Sequence, residues 1–175
     1  VYNMLAGGSL KITEAGGSTA ADLGLRTFDG GLALADLNQG RGLTRVQGEA
    51  DFRITQRDGT TIDVCLDGAT TIDDVIAAIN TAADNTGDLV ASISDTGGIQ
   101  LVDSSADGGT PLSVAALNLS SAADDLGLTV AASGDTLTGS DVSGVPCDGV
   151  FAHLLALRDA MTNNDSSALA YWSEK

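Results

Sequence analysis

The sequence predicts an α+β protein, and three observations support this class. Gly is abundant (22 of 175 residues) and Pro is scarce (2), as in turn-rich proteins, and only 3% of residues are aromatic, so the core must be built from aliphatic side chains. Several short segments alternate apolar and polar residues, which is the pattern of half-exposed strands. Residues 72–79 instead space their apolar residues three and four apart, as an amphipathic helix does.

The chain contains a match to itself. Residues 10–25 (LKITEAGGSTAADLGL) align with residues 112–128 (LSVAALNLSSAADDLGL) when one insertion is allowed, and the apolar positions then superpose. The separation of about 102 residues is that of a repeated domain rather than of a solenoid repeat. We therefore expect the chain to begin inside one copy of a module, with a short strand at Ser9–Thr13 and a helical turn at Thr19–Leu23, and to carry a second copy.

The pattern of composition along the chain divides it into modules and connectors. We expect the following segments: 1–28, the C-terminal part of a preceding module; 29–48, a Gly-rich connector; 49–133, a complete module; 134–146, a second connector; and 147–175, the start of a helical stem.

The complete module is predicted to open with a hairpin around Asp58-Gly59. A three-residue loop, Asp58-Gly59-Thr60, would pair Ile54 with Val64 and Phe52 with Leu66, which keeps the apolar side chains on one face. A two-residue loop would place apolar residues opposite polar ones. We therefore expect the glycine of the loop in a left-handed bulge position, and in this register Cys65 points away from the core.

The clearest helix of the module follows the hairpin. Thr70 and Thr71 offer N-cap hydroxyls, and Asp73 and Asp74 lie in the first turn, where the helix dipole favours negative charge. Asn80 marks its end. The apolar stripe that must pack on the sheet consists of Ile72, Val75, Ile76 and Ile79.

Further strands are expected on either side of two polar turns. Leu89, Ala91 and Ile93 alternate with other residues, Asp95–Gly98 is a turn, and the chain returns through Ile99 and Leu101. A strand at Leu112–Ala116 and a short helix close the module. The predicted arrangement is an α+β module of β-hairpins with one main helix packed on a sheet.

The last segment has a different pattern, which predicts a coiled-coil-like stem. Its apolar residues are spaced four, three and four apart, so that they form one seam along a helix. The predicted assembly interface consists of Val150, Phe151, Leu154, Leu157 and Met161. The seam has no partner helix within this sequence, which indicates that it packs against other subunits.

Charge and residue types exclude several function classes. The formal net charge is −16, which repels phosphate backbones and anionic membranes, so no nucleic-acid or membrane partner is expected. Asp103, Ser105 and Asp107 imitate half of a calcium loop, but Val114 stands where a bidentate Glu is required. The loop oxygens are expected to bond their own backbone instead.

Catalytic and cofactor motifs are not expected either. Cys65 and Cys147 are not in a CxxC motif, and they could pair in an exported protein or remain single thiols. His153 lies six residues after Cys147, but a nucleophile pair also needs an orienting third group, and none stands out. We expect no enzyme activity, no cofactor and no metal site.

Two parts of the sequence resemble one family. Residues 50–128 resemble the flagellin IN module, which is named for the Ile-Asn at the end of its helix, here Ile79-Asn80. The Asp-Gly hairpin, the Thr-Thr-Ile-Asp-Asp-Val helix start, the Val-Ala-Ser-Ile strand and the closing Asp-Leu-Gly-Leu match the module, and residues 9–25 match it as a partial copy. The segment GVFAHLLALRDAMTNNDSSAL is similar to the place where hook–filament junction proteins re-enter their helical core.

This resemblance implies a structural subunit of the bacterial flagellar axial assembly. Such proteins are exported by the flagellar secretion system and lie outside the cell. Their helical stems pack against hook-associated proteins and flagellin, and their inserted modules face outward. Two alternatives remain open: a flagellin filament subunit, or an extracellular adhesin or calcium-binding repeat module.

Overall fold

The computed structural model describes residues 26–143 without a gap, residues 19–23, and the single residues Ile12, Gly17, Arg158 and Met161. The fold of the described part is α+β, as the sequence predicts. In chain order its elements are α1 Thr19–Asp22, a 3₁₀ turn Leu34–Asp36, α2 Leu37–Gly40, β1 Phe52–Thr55, β2 Thr61–Val64, α3 Ile72–Asn80, β3 Leu89–Ile93, β4 Ile99–Asp103, β5 Ser113–Ala116, α4 Ala122–Asp125 and β6 Thr136–Thr138.

The strands form two small antiparallel sheets instead of the one sheet expected. The first has the order β2-β1-β5 and the second the order β3-β4-β6. Each sheet combines a hairpin with one strand that is distant in sequence. A hairpin can be predicted from the local alternation of apolar and polar residues. The pairing of strands distant in sequence cannot, because it depends on the path of the long loops between them.

The first hairpin has the predicted faces but not the predicted register. Phe52 pairs with Val64 and Ile54 with Ile62, two residues away from the predicted partners. The loop has three residues, but it consists of Arg57-Asp58-Gly59, because the Gln56 backbone N–H donates to the Thr60 carbonyl at 2.8 Å. Gly59 has a φ of 89°, so the left-handed glycine is confirmed. A shift by two residues preserves the faces, and the exposed position of Cys65 is also confirmed.

Helix α3 begins and ends where the sequence predicts. Thr71 is the N-cap, its hydroxyl accepts from the Asp74 backbone N–H, and the Asp74 carboxylate accepts from the Thr71 backbone N–H, so that the two residues form a capping box. Ile72, Val75 and Ile79 are buried, and the helix packs against β3. The last helical residue is Asn80.

Among the residues that the structure describes, one aliphatic core contains side chains from both sheets. Its largest fully buried side chains come from strands, from α3 and from loops: Leu37, Phe52, Ile54, Ile62, Leu66, Ile72, Ile79, Leu89, Ile99, Leu101, Leu112 and Leu126. Phe52 is the only aromatic residue among them, which agrees with the aliphatic core expected from composition.

The two segments expected to be connectors are part of the folded unit. In the first, Leu32, Leu34 and Leu37 are buried in the core, and Ala33 forms a bridge with Thr71 at the start of α3. In the second, β6 pairs with β4. Burial of large aliphatic side chains favours docking of these segments over leaving them in solvent.

The predicted stem lies almost entirely outside the described residues. Arg158 and Met161 are described there, both with helical backbone and both exposed. The helical turn predicted at Thr19–Leu23 is present as α1, Thr19–Asp22, and the self-match aligns it with α4.

Candidate functional site

Of the predicted assembly seam, one residue can be placed. Met161 is 65% exposed. Val150, Phe151, Leu154 and Leu157 lie outside the described residues. Cys147 and His153, the pair considered for nucleophilic chemistry, lie outside them as well.

The helix-end signature Ile79-Asn80 has a clear structural role. Ile79 is fully buried, and the Asn80 side chain bonds both backbone groups of Ala91 on β3. Its Nδ2 donates to the Ala91 carbonyl at 3.0 Å, and its Oδ1 accepts from the Ala91 N–H at 2.7 Å. Asn85 Nδ2 extends this contact by donating to the Leu89 carbonyl at 2.9 Å. Two carboxamides therefore occupy the open edge of β3 and fasten α3 to it.

Asp103, at the end of β4, is a buried carboxylate that joins the two sheets. It accepts from the Arg57 backbone N–H at 2.7 Å, from the Ser105 N–H at 2.9 Å and from Gln56 Nε2 at 3.1 Å. Burial by itself raises the pKa of Asp103, but the hydrogen bonds from Ser105, Arg57 and Gln56 together outweigh burial and hold the pKa below its usual value. Asp103 is therefore a charged anchor between the first hairpin and the second sheet.

The carboxylates of the calcium-like loop around Asp103 and Asp107 accept hydrogen bonds from protein donors. Both carboxylate oxygens of Asp103 accept from N–H donors, and Asp107 Oδ1 accepts from the Gly109 N–H. The bonds from the Ser105 and Gly109 N–H groups lie within the loop, as predicted, whereas the Arg57 and Gln56 donors belong to the first hairpin. Among the described residues, no group of three or more His, Cys, Asp or Glu is arranged to hold a metal ion.

Asp51, just before β1, is a second buried carboxylate, and no pattern in the sequence predicts its burial. Its two oxygens accept from the backbone N–H groups of Val46 and Leu66, at 3.0 Å and 2.9 Å. These bonds tie the end of the first connector to the end of the first hairpin. Arg45 reinforces the same place, since its guanidinium donates to the carbonyls of Leu66 and Ala69, each at 2.8 Å.

A cleft of about 250 Å³ lies between α3 and the loop that precedes it. Cys65, Gly68, Ala77 and Thr81 contribute to its lining. This volume falls below the roughly 300–1,000 Å³ of typical ligand pockets. The exposed thiol of Cys65 is its most reactive group, and no His of the described residues accompanies it.

The polar groups of the described module are thus engaged mainly in holding the module together. Within this part of the chain no helix is long and apolar enough to cross a membrane. Comparisons of the chain with protein-family models, with curated proteins and with solved structures found no match.

Proposed function

We propose that this chain belongs to a structural subunit of the bacterial flagellar axial assembly, most similar to the proteins that join hook and filament. Its folded module faces outward, and the predicted stem packs against hook-associated proteins and flagellin. The subunit is exported by the flagellar secretion system and works outside the cell. Its role is mechanical and requires no cofactor.

One observation carries the proposal: the bonds made by Asn80. The resemblance to the IN module depends on an Ile-Asn pair at the end of the helix. Here Ile79 fills the core, and the Asn80 carboxamide pairs with Ala91 of β3. The residues that carry the resemblance are therefore those that hold helix and sheet together, which is what a signature of a structural module should consist of.

The path of the chain through the module also supports the proposal. The Asn38 backbone N–H donates to the Val142 carbonyl at 3.2 Å, so the segment that enters the module meets the segment that leaves it. Adjacent entry and exit are common in domains inserted into a longer chain. This arrangement is compatible with a lobe that is inserted into a longer, rod-like chain.

Deletion of the gene in the bacterium that carries it tests the proposal. Loss of a junction subunit should leave hooks without filaments while flagellin is released into the medium, as seen by electron microscopy and by analysis of the culture supernatant. Loss of a flagellin should instead leave hooks without filaments and without that flagellin in the medium. Normal filaments and normal swimming would refute both assignments.

The predicted seam provides a sharper test in the full-length subunit. Leu154→Asp places a charge in the seam and should prevent incorporation into the axial structure, because a charge buried between helices without a partner is strongly unfavourable. The secreted variant should keep the far-ultraviolet circular dichroism of the module. Leu119→Asp is the matched control, since Leu119 is 98% exposed. Normal assembly of the Leu154→Asp subunit would contradict the role of the stem.

A further inference from the structure

The edges of the two sheets are not equally protected against pairing with another strand. The edge of β3 is occupied by the side chains of Asn80 and Asn85. β6 has only three residues. β2 carries Asp63, which is held by Arg53 in a bidentate ion pair with distances of 2.6 and 2.8 Å. Short strands, charges and covering groups are the means by which proteins block sheet edges. β5 has neither a charge nor, among the described residues, a covering group.

The hydrogen bonds between β1 and β5 show which backbone N–H and C=O groups of β5 point away from the sheet. The Leu117 N–H donates to the Asp51 carbonyl at 2.9 Å, on the side of β1. Backbone groups alternate between the two sides of an antiparallel strand, so those of Ser113 and Ala115 also face β1. The N–H and C=O of Val114 and Ala116 therefore point away from the sheet.

The charge distribution sets this edge apart from the rest of the molecule. The chain has a net charge of −16, yet residues 108–123 contain no Asp, Glu, Lys or Arg, and this is its longest uncharged run. Ser113, Ala115 and Ala116 within it are exposed. Two copies of so acidic a chain repel each other over most of their surface, and repulsion is weakest where both are uncharged.

We propose that β5 pairs antiparallel with β5 of a second copy of this chain, with the two strands centred on Ala115. In this register the outward N–H and C=O of Val114 bond those of Ala116 in the second copy, and the reverse pair forms by symmetry. The two Ala115 residues form the closely spaced, non-hydrogen-bonded pair, where small side chains fit. The inference concerns the described module and does not depend on the proposed function.

Sedimentation of the whole 175-residue chain over a range of concentrations tests the pairing. Ala115→Lys places two positive charges directly opposite each other and should weaken dimerisation about ten-fold or more. Thr61→Lys is the matched control, because it lies exposed on the same face at the other edge of the sheet and changes the net charge equally. It should leave dimerisation unchanged. Added salt should strengthen dimerisation of the unmodified chain by screening the net charge.

Amide hydrogen exchange provides a second readout that does not depend on a variant. The amides of Val114 and Ala116 should exchange fast at low concentration and slowly at high concentration, while those of Ser113 and Ala115 should be protected throughout. A monomer at every concentration would overturn the proposal, and so would a dimer that Ala115→Lys and Thr61→Lys affect equally. Protection of Val114 and Ala116 at all concentrations would show that the chain covers its own edge, which also overturns it.

Discussion

At the scale of single residues, the Asn80 side chain makes the hydrogen bonds that a neighbouring strand would make at the edge of β3. A carboxamide carries one acceptor and one donor group at nearly the spacing of a peptide unit, so the Asn80 side chain can pair with Ala91 as a neighbouring strand would. Its position at the last turn of α3 also closes the helix against the sheet. One short side chain thus both protects an edge and joins two elements.

Asn80→Ala should destabilise the chain by about 1–3 kcal/mol, because it leaves the N–H and C=O of Ala91 without their partners. Urea denaturation of the 175-residue chain measures the change. Gln100→Ala is the control, since Gln100 Nε2 makes a single exposed bond of 3.4 Å to Thr138 Oγ1, and its loss should change stability by less than about 0.5 kcal/mol. Equal effects of the two substitutions would contradict the role of Asn80.

The sequence predicts some of these residue roles and not others. Gln56 shares the alternation of Phe52 and Ile54, and like them it is buried. Asn80 can be identified as the end of the helix, but its partner Ala91 depends on how residues 81–88 return the chain. Asp51 cannot be identified from the sequence as buried, because its two partners are backbone N–H groups, which every segment offers.

At the scale of elements, the N-terminus of α3 depends on one ionised carboxylate. Asp74 Oδ2 accepts from the backbone N–H groups of Thr70 and Thr71 and from the Thr70 hydroxyl, at 2.8, 2.9 and 2.9 Å. These bonds lower the pKa of Asp74 from 3.8 to about 2. Since the pKa is lower in the folded state than in the unfolded state, ionised Asp74 stabilises the fold above about pH 4, and this contribution is lost as the pH falls towards about 2.

Thermal unfolding between about pH 6 and pH 2 should show this dependence. The stability difference between the unmodified chain and Asp74→Asn should be constant above about pH 5 and should shrink as the pH falls to about 2. Thr70→Val removes one hydrogen-bond donor to Asp74. The stability contributed by ionised Asp74 should then be lost at a higher pH than in the unmodified chain. If the unmodified chain and Asp74→Asn lose stability in parallel over the whole range, the capping role is wrong.

The elements differ in how much of them the sequence predicts. The bounds of helix α3 are predictable, because its caps, acidic first turn and apolar stripe are all local features. Of the predicted stripe, Ile76 is only partly buried. The sequence predicts which side chains of the first hairpin share a face, because a register shift by one residue would place apolar residues opposite polar ones. The register of this hairpin is not predictable, because loops of Arg57-Asp58-Gly59 and of Asp58-Gly59-Thr60 preserve the same faces. The bond between Gln56 and Thr60 decides between them.

At the scale of the whole molecule, the least predictable feature is the extent of the folded unit. The Gly-rich composition of residues 29–48 and 134–146 is typical of linkers, yet both segments dock on the core. β6 has three residues, too few for alternation to be recognised. The three leucines of the first segment, Leu32, Leu34 and Leu37, suit packing on a neighbouring module, but the sequence does not indicate which module.

The exit from the module is held by close contacts between backbones at glycines. The Gly139 N–H donates to the Ile99 carbonyl at 2.8 Å, and the Ser140 N–H donates to the Gly127 carbonyl at 3.0 Å. A Cβ on Gly98 would lie 2.6 Å from the Gly139 carbonyl oxygen, and a Cβ on Gly127 would lie 2.7 Å from that of Ser140. Because the obstructing atoms belong to the backbone, they cannot move aside as a flexible side chain would.

Gly98→Ala should therefore destabilise the chain by about 2–4 kcal/mol, through the left-handed φ of 86° and the clash together. Gly109→Ala separates the two effects, because Gly109 has a φ of 81° but nothing within 4 Å of the added Cβ, so that about 1–2 kcal/mol is expected there. Urea denaturation gives both values. Hydrogen exchange at Gly139 and Ser140 should accelerate in Gly98→Ala and not in Gly109→Ala, since only the first displaces the exit segment. Equal losses of stability, with unchanged exchange at these amides, would mean that the exit segment is not fixed by this contact.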